Sequence, residues 1–234
     1  GPLAAAVERR SEELDSHEVS MILWALARHR TPNRELVICL KRQALRRLHQ
    51  ASPQALANTV WACATLQLED EGLLLAASEV ADGRLDEFSA QGITNVVWAF
   101  AAQPAREAAG RILDQAAIAL ARRSAEFGSL ELVASCWALS QSSPDLARHR
   151  ETIESAVLTA ASHIQVFDDG AAKVLSRSAW CLARVSVSSG PVLTKLQCAV
   201  LHGDGAFGPR DLANASWALA VAPCESADVF GRLA

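Results

Sequence analysis

Large apolar residues recur along this chain at fixed distances from a tryptophan. Five positions before Trp24, Trp61, Trp98, Trp137, Trp180 and Trp217 stand Val19, Leu56, Ile93, Leu132, Leu175 and Leu212. Two positions after them stand Leu26, Cys63, Phe100, Leu139, Leu182 and Leu219. The next residue after the tryptophan is Ala in every case except Cys181, and the third is Ala except Ser140. At about 100° per residue the −5, −1, +2 and +3 positions fall on one flank, with the tryptophan at its edge. The pattern predicts an amphipathic helix around each tryptophan, here called helix A. Its alanines allow close helix–helix approach.

A second helix, helix B, is predicted after a break that usually holds proline: Pro32, Pro104, Pro144, Pro191 or Pro223. The segments ELVICLKRQALRRL and PDLARHRETIESAVLTAASHI read as helices B. A short stop then leads to the next helix A, often through an aromatic. Phe88, Phe127 and Phe207 each stand ten residues before their tryptophan. The tryptophans are separated by 37, 37, 39, 43 and 37 residues. A period near 38 residues marks stacked supersecondary units. The expected fold is therefore all-α, an α-solenoid of about six helix-turn-helix repeats. Residues 1–15 read as a leading helical or capping segment. Repeats follow at about 16–50, 51–87, 88–126, 127–166, 167–206 and 207–234. The last unit stops soon after its helix A and would leave an apolar face open, so the chain is expected to be part of a longer protein.

Three of these units carry a more specific signature. The second reads ASPQALANTVWACATL, the third FSAQGITNVVWAFA and the sixth FGPRDLANASWALA. They resemble the octotricopeptide repeat, F-x-P-Q-x-L-A-N-x-L-W-A-L-A in a unit of roughly 38 residues. The matching residues include Pro53, Gln54, Asn58 and Trp61, then Phe88, Gln91, Asn95 and Trp98, then Phe207, Pro209, Asn214 and Trp217. Units four and five depart from it, with Ser129-Leu130 and Ala134, then Ala172-Lys173 and Arg177. The resemblance implies RNA binding in a chloroplast or mitochondrion, in the stabilisation, processing or translation of organellar transcripts. Single-stranded RNA is the implied partner, and other proteins of an organellar RNA complex are further candidates.

On helix A the −7, −3 and +4 positions lie about 20°, 60° and 40° from the tryptophan and make one polar stripe per repeat. The candidate RNA-binding residues are Arg28, Gln54, Asn58, Gln91, Asn95, Lys173, Arg177, Arg184, Arg210 and Asn214. Amides can pair with base edges, and arginine with phosphates or guanine. Alternatively, the amides form ladders between neighbouring helices or cap helix starts. The six tryptophans abut the aliphatic flank and are assigned to the structural core rather than to base stacking.

Charge complicates the picture. The net charge is −4, whereas nucleic-acid binders are usually basic. Residues 28–50 carry seven cationic side chains and residues 69–87 seven acidic ones. A positive end of the array beside an acidic patch is expected. The acidic balance favours a second reading, a protein-interaction scaffold without direct RNA contact. The cysteines Cys39, Cys63, Cys136, Cys181, Cys198 and Cys224 lie among Ala, Val and Leu and read as small buried hydrophobes. With no C-x-x-C pair and no H-E-x-x-H, no metal or cofactor is expected. Walker A, G-x-G-x-x-G and G-x-S-x-G motifs are also missing, so a non-enzymatic binding protein without a small-molecule substrate is expected. No apolar run reaches the roughly 18 residues of a membrane helix.

Overall fold

The computed structural model describes residues 2–30, 33–68, 70–103, 106–142, 146–166, 168, 170–187, 189–202 and 207–221. The described residues form twelve α-helices and no strand. The leading segment gives α1 (Pro2–Arg9). The predicted helices A are α2 (Ser16–Arg28), α4 (Pro53–Thr65), α6 (Ala90–Ala101), α8 (Ser129–Ser142), α10 (Ala171–Arg184) and α12 (Pro209–Val221). The helices B are α3 (Arg34–Arg47), α5 (Glu71–Ala81), α7 (Arg106–Arg123), α9 (Leu146–His163) and α11 (Gly190–His202). Of the predicted proline breaks, Pro32, Pro104, Pro144 and Pro223 lie outside the described residues, and Pro191 is the second residue of α11.

The chain divides into two compact units, residues 1–116 and 117–234. In the first, α2 packs on α4 and α4 on α6, with α3 against α2, α5 against α4 and α1 against α3. In the second, α10 packs between α8 and α12, α9 rests on both α8 and α10, and α11 on α10. The predicted flank is the seam of these contacts. Val19, Leu56, Ile93, Leu132 and Leu175 are fully buried, as are Cys63, Phe100, Leu139, Leu182 and Leu219. So are Ala62, Ala99, Ala138 and Ala218 at the +1 position, where a larger side chain would push neighbouring helices A apart.

Helix starts repeat as well. Asp15 closes a capping box with Glu18 on α2. Ser52 accepts from the Ala55 amide (3.2 Å), and Ser89 from the Gly92 amide (3.1 Å). These bonds satisfy amides that the first helical turn leaves free. Phe88 and Ile93, both buried, occupy the N′ and N4 positions of a hydrophobic staple on α6. The stop between repeats is a 3-10 turn at Leu48–Gln50, Leu85–Glu87 and Ser124–Glu126. Its last two examples are braced by Arg84–Glu87 (3.0 Å) and Arg123–Glu126 (2.6 Å) ion pairs.

The basic and acidic stretches touch through one ion pair. Lys41 of α3 pairs with Asp70, the N-cap of α5, at 2.6 Å. Burial works against the Asp70 carboxylate, but the Lys41 ammonium and the Leu73 and Gly72 amides outweigh it and hold its pKa below the usual value. Arg47 donates to Gln43 and to the Glu12 carbonyl. Glu69 of the acidic stretch lies outside the described residues. Apart from Arg28 and Arg30, the basic stretch lies on α3, and its Lys41 pairs with one carboxylate of the acidic stretch, Asp70.

Helices α2, α4 and α10 end alike. Six residues after the tryptophan, Arg30, Gln67 and Ser186 adopt positive φ of 49°, 55° and 57°. Leu68 and Val187 then donate to the Cys63 and Leu182 carbonyls at 2.9 Å, the bond pattern of a Schellman cap. A β-carbon is disfavoured there, while glycine adopts this conformation freely. Gln67→Gly is therefore expected to stabilise the chain by about 0.5–1 kcal/mol, measured by the denaturant midpoint. A lower midpoint would contradict this account.

Candidate functional site

None of the six tryptophans is fully buried, although Trp61 packs against the first unit's core. Trp24 and Trp217 are 36% and 40% exposed, and Trp61, Trp98, Trp137 and Trp180 are half-buried. The expected core position is met only in part: the indoles line the edge of the core instead of its interior. The reason lies in the helical wheel: the buried flank is centred more than about 100° from the tryptophan, whereas the polar stripe lies within about 60° of it. The indoles belong to the stripe. They pack on one another across helices A. Trp24–Trp61 and Trp61–Trp98 have ring centres 6.4 Å apart, tilted by 34° and 42°. In the second unit Trp137–Trp180 are 6.4 Å apart and Trp180–Trp217 5.8 Å, both tilted by 41°. Such tilted contacts suit the indole quadrupole.

In the first unit this face is a groove of about 710 Å³. Helix α2 contributes Met21, Trp24 and Arg28; α4 contributes Gln54, Asn58 and Trp61; α6 contributes Gln91 and Asn95. Five of the ten sequence candidates are thus brought together. Gln91 donates to Asn95 one turn later at 3.0 Å. Among the described residues the Gln54 and Asn58 side chains make no hydrogen bond, so they neither cap a helix nor ladder between helices. A smaller cavity of about 470 Å³ adjoins them at the starts of α4 and α6, near Ser52 and Ser89.

The second unit presents different chemistry. Lys173 is exposed and Arg177 half-buried, one turn apart on α10. The Arg184 guanidinium lies 5.7 Å from the Trp180 ring centre and donates to the Ser140 carbonyl at 3.1 Å. Arg210 reaches from α12 to within 5.3 Å of the Trp137 ring centre. Both are cation–π distances. Asn214 is half-buried and its side chain makes no hydrogen bond among the described residues. Burial, and next the charge of Arg210, push the Arg177 pKa down, while Asp211 opposes them. The fourth repeat contributes Leu130, 46% exposed, at the position held by Gln54 and Gln91 in the second and third. The six indoles were the missed members of this face, and their position beside the −7, −3 and +4 residues was the available signal.

The remaining candidate chemistry is buried. Cys63 and Cys181 thiols are pushed up to about 12 by burial, and the Cys136 thiol is raised for the same reason. Cys39 and Cys198 are half-buried, and Cys224 lies outside the described residues. Among the described residues no group of three or more His, Cys, Asp or Glu could hold a metal, and no helix is long and apolar enough to cross a membrane. No family model and no curated protein matches the chain.

Two outcomes follow from these positions. Trp98→Ala should cost about 1–2 kcal/mol because its ring is already partly in water, against about 3–5 for the buried Phe100→Ala. Equal losses in thermal or chemical melts would restore the tryptophan to the core. A thiol reagent at pH 8.5, read by peptide mass mapping, should modify Cys39 and Cys198 and spare Cys63, Cys136 and Cys181 until the chain unfolds. Early modification of Cys63 would contradict its burial.

Proposed function

We propose that this chain is an octotricopeptide-like α-solenoid that binds single-stranded RNA along the helix-A face. It would act in the stabilisation, processing or translation of transcripts in a chloroplast or mitochondrion, the setting the resemblance implies. One observation carries the reading: indoles share a face with amides in the first unit and with guanidinium groups in the second. Aromatic platforms beside cations are how single strands are held, and amides supply base-edge contacts. No catalytic step is part of the proposal. The RNA would be shielded from nucleases or held open for another factor.

The net charge of −4 favours the other reading, a scaffold within an organellar ribonucleoprotein that touches only proteins. Fluorescence anisotropy with a panel of short single-stranded RNAs at low and high salt separates the two. Affinity should fall with salt, with a log–log slope of roughly 0.7 for each phosphate neutralised. Asn95→Ala should cost about 1–3 kcal/mol of discrimination at one nucleotide position if it contacts a base. Arg177→Ala should weaken all RNAs alike. Absence of binding at low salt, or binding insensitive to salt, would favour the scaffold.

A further inference from the structure

The cations on the second unit's face are not equivalent. Arg184 is committed to the Ser140 carbonyl and the Trp180 ring. The Lys173 and Arg177 side chains make no hydrogen bond or ion pair among the described residues, and Arg177 is half-buried. Arg210 is rooted on α12 but its guanidinium reaches the Trp137 ring on α8. Because α10 packs between those two helices, the Arg210 side chain crosses the α10 face that bears Lys173 and Arg177. Arg177 and Arg210 lie close enough for their charges to act on one another, and Lys173 stands one turn before Arg177 on the same helix. Asp211 partly offsets the charge of Arg210 at Arg177 and accepts from the Ser176 hydroxyl and the Gly208 amide, each at 3.3 Å. A half-buried cation beside a like charge is unfavourable unless an anion completes the group.

We propose that Lys173, Arg177 and Arg210 form a site for one phosphate group of a phosphodiester chain, with Trp137 as the positioning residue that holds Arg210 across α10. The inference rests on the single-stranded RNA reading and divides its labour. The first unit's face, with four amides and Arg28, meets bases, while the second unit's face grips the backbone. The tilt of the indoles agrees with this division. Rings 5.8–6.4 Å apart and tilted by 41° leave no parallel slot for a base between them, but their faces accept a guanidinium.

The test measures binding of a twelve-nucleotide oligouridylate across a salt series, with thermal melts of every variant as a check on folding. One shared phosphate predicts that Arg177→Gln plus Arg210→Gln flattens the log–log slope by about 0.7, and that neither single change flattens it by more. Arg42→Ala, which removes a positive charge from α3, should leave the slope intact. Trp137→Leu should weaken binding about 2- to 5-fold and Trp137→Phe much less. In the Arg210→Gln background Trp137→Leu should add nothing, because its effect runs through that arginine. An unchanged slope in the double variant, additive single effects worth two phosphates, or an undiminished Trp137→Leu effect without Arg210 would overturn the proposal. If the parent chain binds no RNA, the RNA reading falls, and the site is judged on inorganic pyrophosphate alone. A rise in Tm that the double variant abolishes would uphold the phosphate site; no rise would overturn it.

Discussion

Close approach of neighbouring helices A is the constraint on which everything else rests. It depends on small side chains one residue after the tryptophan: Ala62, Ala99, Ala138, Cys181 and Ala218 are all buried. Because these positions add so little bulk, the aliphatic residues at −5 and +2 can interlock across the seam. On the opposite side of each helix the same proximity forces the indoles into contact. The face that carries the candidate site is therefore a by-product of how the core closes. A bulky residue at any of these alanines would separate the core and disperse the indole row together.

The helical pairs were legible because the relevant information is local. A 3.6-residue period and a fixed offset from tryptophan identify the buried flank of each helix A without reference to any distant residue. The polar stripe was legible for the same reason, and Gln54, Asn58, Gln91 and Asn95 share one groove as their register implies. The depth of the tryptophans was less legible, because a position at the edge of the buried flank does not say how far an indole is covered. Indole is amphipathic and tolerates a half-wet edge.

Other features depend on partners that periodicity does not supply. The Lys41–Asp70 pair joins two helices B through residues 29 positions apart, and local charge runs read as separate patches until that contact is known. The reach of Arg210 to Trp137 spans 73 positions and requires α10 to lie between. The left-handed residues Arg30, Gln67 and Ser186 carry no glycine signal, although their common offset from tryptophan becomes plain once the helix ends are seen.

The indole rows also give the molecule an optical property. The chain has six tryptophans and no tyrosine, so its near-ultraviolet absorption and emission arise almost wholly from the helix-A faces of its two units. Chromophores spaced about 6 Å apart share excitation, which rotates and depolarises emitted light and splits their circular dichroism bands. Spectra of the unmodified chain thus report the geometry of those faces with no attached dye. Whatever settles on the indoles, or draws an arginine away from them, changes the colour and polarisation of the protein's own light.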